Sequence, residues 1–238
     1  MSGSMLILRP ECILGRIFCF WRMGMQRTDK VRKMVLMAFL SAIAYMAVSL
    51  VRIRVVEFLS YEPKDVVITI GGFLLGPVAA FVISLLVSLL EMITISDTGP
   101  IGCLMNLVSS CSFACVAALI YKKKHSLWGA IWGLLAGTVS MIGVMLLWNW
   151  LITPLYMGVP RSAVEGMLLP MFLPFNALKA GLNSALTLGL YKPLTAALRR
   201  TKLLPPSQSG NAKVGIYLVA AFLLALCVML LLVFRGQM

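Results

Sequence analysis

Charged side chains are scarce in this chain: Asp, Glu, Lys and Arg make up 12% of 238 residues, about half the share of a soluble domain. Acids are rarest, with eight in all, Glu11, Asp29, Glu57, Glu62, Asp65, Glu91, Asp97 and Glu165, most of them between apolar runs. The single histidine, His125, follows three lysines. Neither a GxxxxGKS/T phosphate loop nor an HExxH pair occurs, which leaves no reading as an ATPase or a zinc protease. An intramembrane protease needs a nucleophile with a base, or paired acids, at membrane depth, and only Glu91 comes near that description. No catalytic residue, resident cofactor or metal is expected. The six cysteines include no CxxC spacing and read as small core residues of a reduced protein.

Apolar residues fill the space that charge leaves. They make up 61% of the chain, with a mean hydropathy of +0.96, and they fall in runs approaching twenty residues. Each such run is long enough to cross roughly 30 Å of hydrocarbon, so the bilayer is the solvent. The expected fold is all-α, a polytopic membrane helix bundle. Spans are expected at Met34–Val51, Val66–Leu75, Val78–Ile95, Ile101–Tyr121, Trp128–Ile152 and Phe172–Leu198, with a seventh at Val214–Phe234. Pro63 ends the polar segment after the first span, Gly76-Pro77 cuts the second short, and Ser96 to Pro100 form a dense turn signal. The organisation expected is an extension over 1–26, interfacial or disordered, a membrane core over 27–200, a cytoplasmic linker over 201–213 and the additional transmembrane helix over 214–234. The extension has no cleavable-signal pattern. Its native start is expected at Met23 or Met25, a reading that N-terminal sequencing to Met1 or Ser2 would refute.

The net charge of +13 does not point to nucleic acid, because Lys and Arg lie in short clusters between apolar runs, with no basic stripe of interleaved aromatics. They read as topology signals. Alternate loops carry 15 against 5, which places the N-terminus in the cytoplasm and Arg52 to Asp65 outside.

Polar groups gather towards that outer side. Asn176 and Lys179 lie one helical turn apart at the start of the sixth span, Asn149 sits between Trp148 and Trp150 near the end of the fifth, and Glu91 and Asn106 flank the third external turn. Tyr61, Glu62 and Asp65 close the first external loop. An unsatisfied amide in hydrocarbon costs several kcal/mol, so these groups must meet each other, water or a ligand. Two amides, an ammonium and nearby aromatics suit a planar heterocycle, its edge paired by amides and its face covered by Trp148, Trp150, Tyr156 or Tyr61. On the first span Ala38, Ser41, Ala42, Ala44 and Ala47 form a small-residue face, with Ala38 and Ala42 at the spacing that lets another helix approach closely. That partner is either internal or a second protein.

In this order, the Ala-rich first span, FLSYEPKD from Phe58 to Asp65, IGGFLLGP from Ile70 to Pro77, WNWLITPLY from Trp148 to Tyr156 and PFNALK from Pro174 to Lys179 resemble the substrate-binding S components of energy-coupling factor (ECF) vitamin transporters, in their riboflavin-specific branch. The resemblance runs from Lys33 to Leu198. It implies a six-helix bundle in the cytoplasmic membrane that holds riboflavin in an outward pocket, with Asn149, Asn176 and Lys179 on the flavin; Tyr61, Glu91 and Asn106 are added to the expected site by the polar clustering alone. It further implies docking through Ala38 and Ala42 onto a membrane scaffold, the T component, driven by two ATPase subunits, with toppling of the S component carrying the pocket inward. The extension and the seventh run depart from the six-helix pattern. The alternatives are the same machine with another heterocyclic vitamin or modified base, and a membrane enzyme or assembly factor without a transported ligand.

Overall fold

A computed structural model describes the backbone of residues 10–56, 59–95 and 99–200, with 221 and 225, and the side chains of 30–52, 60–95 and 99–191. The linker expected over 201–213 and the last apolar run lie outside this set, apart from those two isolated positions.

Helix α1 runs unbroken over Pro10–Leu50. It starts well before the expected first span because Glu11, Arg16 and Arg22 favour helix, and the one proline stands at the first position, where its missing N–H is harmless. A hairpin follows, β1 (Ile53–Val56) and β2 (Leu59–Tyr61), antiparallel with an irregular register between Arg54 and Val56. Among the described residues this small sheet is the one addition to the expected all-α fold. Pro63 ends it and caps α2 (Lys64–Leu75). Next come α3 (Pro77–Thr94), α4 (Gly99–Ser110), a π-helical turn over Cys111–Cys115, and α5 (Val116–Lys123), which continues the α4 path. Helix α6 (Leu127–Met157) begins at Ser126, whose hydroxyl accepts a hydrogen bond from the Gly129 N–H at 3.1 Å, and ends at Gly158 in the left-handed conformation. The short α7 (Arg161–Met167) and a second π turn, Leu168–Phe172, lead into α8 (Leu173–Arg200).

Among the described residues four helical stretches are long and apolar enough to cross a membrane: Lys30–Leu50, Pro77–Thr94, Gly99–Lys123 and Leu127–Met157. Their outward faces carry Met34, Phe39, Val78, Ile93, Trp132 and Val139, the exposure a lipid solvent allows. Helix α2 is different. At twelve residues it is only about 18 Å long, and it occupies the middle of the bundle, packed by α1, α3, α5 and α8.

Close packing at one seam depends on glycine. A Cβ on Gly133 would lie 2.7 Å from the Ala117 carbonyl oxygen, and one on Gly137 would lie 2.6 Å from that of Phe113. With Ala114, Ala117 and Ala118 fully buried opposite them, α6 approaches the α5 segment backbone to backbone.

Candidate functional site

Hairpin, α1, α3, α4, α6 and α8 converge on a cavity of about 750 Å³, including its opening to solvent. Asn149, Asn176, Lys179, Glu91 and Asn106 all line it, although they come from four helices. The structure therefore brings together five of the six ligand-contact candidates. Tyr61 lies behind the wall: it is buried, and its hydroxyl donates to Asn183 Oδ1 at 3.0 Å.

The two amides are braced by their own helices. Asn149 Nδ2 donates to the Met145 carbonyl at 2.7 Å, and Thr153 Oγ1 donates to Asn149 Oδ1 at 2.9 Å. Asn176 Nδ2 donates to the Phe172 carbonyl at 2.8 Å, at the end of the second π turn. Each amide has a second N–H beyond these bonds. The aromatic wall corrects the sequence reading. Trp148 packs into the core, Trp150 donates to Glu165 Oε1 at 3.1 Å beneath Arg161, and Tyr156 is exposed. Phe175, one residue before Asn176, supplies the aromatic surface in the cavity instead.

Two ionic clusters support the wall. In the first, Lys64 is fully buried, its Nζ 2.8 Å from Glu62 Oε2 and 2.5 Å from Glu91 Oε2. Asn106 Nδ2 donates to the same Glu91 oxygen at 2.8 Å, and Arg52 Nε lies 3.4 Å from Glu62 Oε1. Lys64 is thus no solvated loop charge of the kind counted for topology. Burial pushes the Glu62 carboxyl up, but the ammonium of Lys64, then Lys179 and Arg52, outweigh it and hold the group below the usual carboxylate range. In the second cluster, Asp65 is fully buried and accepts from Ser110 Oγ at 2.5 Å and from Asn183 Nδ2 at 3.1 Å. Lys179 Nζ stands 3.9 Å from Asp65 Oδ2. Burial, then the Asp65 charge, pushes the Tyr61 phenol up, which keeps it a donor.

Ser110 and Asn183 escaped the sequence reading. Asn183 was within reach of it: Asn176, Lys179, Asn183 and Thr187 follow one another at three- and four-residue steps along α8. Ala38 and Ala42 are both exposed, while Ser41, Ala44 and Val48 form the inward face of α1. Both methyls of the close-approach face thus point away from the described core.

A polar cavity set among lipid-facing helices is the arrangement of a membrane protein that can hold a small ligand within its bundle. Residues 32–191 match the family model for the ECF transporter substrate-specific component. The chain belongs to that family. Riboflavin transporter RibU of Staphylococcus aureus (strain TCH60) is 27% identical over 178 residues, covering 71% of this chain and 93% of the relative. Riboflavin transporter FmnP of Bacillus subtilis (strain 168) is 28% identical over 161 residues, covering 63% and 85%. The solved S component of a bacterial ECF transporter superposes with a TM-score of 0.61 at 28% identity, covering 71% of this chain and 98% of that one.

Proposed function

We propose that this protein binds riboflavin and takes it up as the substrate-specific subunit of an ECF transporter. The observation that carries the reading is the convergence of Asn149, Asn176 and Lys179 with Phe175 on one cavity. Braced amides match the mixed donor and acceptor edge of a flavin, and the phenyl ring gives its face an apolar surface. The two relatives named as riboflavin transporters support the same ligand.

The protein works in the cytoplasmic membrane with its N-terminus inside, so that the hairpin end of the bundle faces out. Removing Lys64 from the outer loops strengthens the charge bias behind this orientation. Energy comes from two ATPase subunits through a T-component scaffold, which α1 meets at Ala38 and Ala42, where the exposed methyls allow close helix approach.

Purification in mild detergent from cells grown in rich medium, followed by visible absorption and flavin fluorescence, tests the ligand. The expected result is a yellow protein that releases riboflavin on denaturation. A colourless protein that also fails to quench added riboflavin would overturn it.

A further inference from the structure

Three buried oxygens of cavity-lining residues, Glu62 Oε2, Glu91 Oε1 and Ser109 Oγ, have no hydrogen-bond partner; the first lies 2.8 Å from the Lys64 ammonium, which leaves Glu91 Oε1 and Ser109 Oγ. Both side chains line the cavity, and their residues are only 3% and 2% exposed. Glu91 Oε2 is already engaged by Lys64 and Asn106. A buried carboxylate oxygen without a donor is costly, so the pair calls for O–H or N–H groups from whatever fills the cavity.

The two sides of the cavity differ in chemistry. Helices α6 and α8, packed on each other, bring the amides, Lys179 and Phe175, which suit a heterocyclic ring. Helices α3 and α4, likewise paired, bring Glu91 and Ser109, whose unmet atoms suit hydroxyls. Charge around the cavity is also balanced. Three cations, Arg52, Lys64 and Lys179, stand against three carboxylates, Glu62, Asp65 and Glu91, and each cation already has an acidic partner. A phosphate monoester would bring about −1.5 to −2 charges at pH 7, and among the described residues around the cavity no cation lacks an acidic partner to meet them.

Resting on the flavin reading above, we infer that Glu91 and Ser109 grip the hydroxylated side chain of the ligand and select the uncharged vitamin over its phosphate monoester. Glu91 determines specificity here; the ring is held elsewhere.

Fluorescence-quench titrations of the detergent-solubilised protein test this with three ligands: riboflavin, its 5′-phosphate, and lumiflavin, which keeps the ring but replaces the polyol with a methyl group. Wild type should bind the phosphate about tenfold or more weakly than riboflavin. Glu91→Gln should weaken riboflavin about tenfold, as expected for loss of a charge-assisted hydrogen bond, leave lumiflavin unchanged and narrow the gap to the phosphate. Ser109→Ala, which leaves the ionic cluster intact and decides the matter if Glu91→Gln does not fold, should weaken riboflavin about threefold and spare lumiflavin. Equal wild-type binding of riboflavin and its phosphate, or equal losses for lumiflavin and riboflavin in Ser109→Ala or in a folded Glu91→Gln, would overturn the inference while leaving the flavin reading intact. A wild-type protein that binds none of the three would overturn both.

Discussion

Replacing Lys64 by Met keeps most of the side-chain volume and removes the charge that two acids share. In the native protein the ammonium is fully buried between Glu62, at 2.8 Å, and Glu91. With an effective dielectric of about 20, unit charges 2.8 Å apart attract by about 6 kcal/mol, most of it offset by desolvation. The variant keeps the desolvation cost of both carboxylates and loses the attraction. Breaking a buried pair in this way costs about 3–5 kcal/mol. For a chain of this size that corresponds to a fall in Tm of roughly 10 °C. Melting in detergent, followed by tryptophan fluorescence and by loss of the monodisperse peak in size exclusion, measures it. The triple variant Lys64→Met, Glu62→Gln, Glu91→Gln should recover much of the loss, because it leaves no uncompensated charge. A single variant that melts within about 1 °C of wild type would refute the reasoning, since it would mean that the carboxylates stay solvated or protonate without cost.

Other consequences follow from the same geometry. Lys179→Ala should weaken riboflavin binding more than tenfold, or about 1.4 kcal/mol, in a quench titration, whereas unchanged affinity would leave Lys179 only its structural role beside Asp65. Ala38→Leu with Ala42→Leu should abolish cellular riboflavin uptake yet leave binding by the purified protein intact, because both methyls face outward; lost binding would place that face inside the fold. Gly137→Ala should destabilise by about 1–3 kcal/mol in the same melting assay, since its Cβ would stand 2.6 Å from the Phe113 carbonyl oxygen. Glu62 sets a pH dependence. Its folded pKa lies below the ordinary value of 4.5, so its contribution is complete above that value and is lost as pH falls through the lowered one. The Tm gap between wild type and Glu62→Gln should therefore close as the pH is taken from about 7 to about 3, and a gap that stays constant would contradict the shift.

Residues whose oddity is local could be read from the chain alone. Asn149, Asn176 and Lys179 interrupt apolar runs, and a polar group in hydrocarbon stands out without any knowledge of its neighbours. Pro63 and Gly76-Pro77 marked real boundaries for the same reason, since backbone restrictions belong to the residue itself. What depends on a distant partner was hidden. Lys64 reads as a loop charge until the fold places Glu91, 27 residues on, against it. Gly133 and Gly137 read as ordinary small residues until α6 meets the carbonyls of Phe113 and Ala117. The hairpin was missed because Arg52 to Tyr61 alternates poorly, and its pairing has an irregular register. Phe175 went unremarked beside the more conspicuous tryptophans, which the fold turns away from the cavity.

The anchoring of Arg52 and Glu62 bears on how the cavity can admit anything. Arg52 is tied to the end of α3 through the Ile95 carbonyl, and to Glu62 through an ion pair. Glu62 is tied in turn to the buried ammonium of Lys64. Arg52 and Glu62, which both border the cavity, are thus fastened to each other and to the bundle, so that widening the mouth at this edge would break an ion pair.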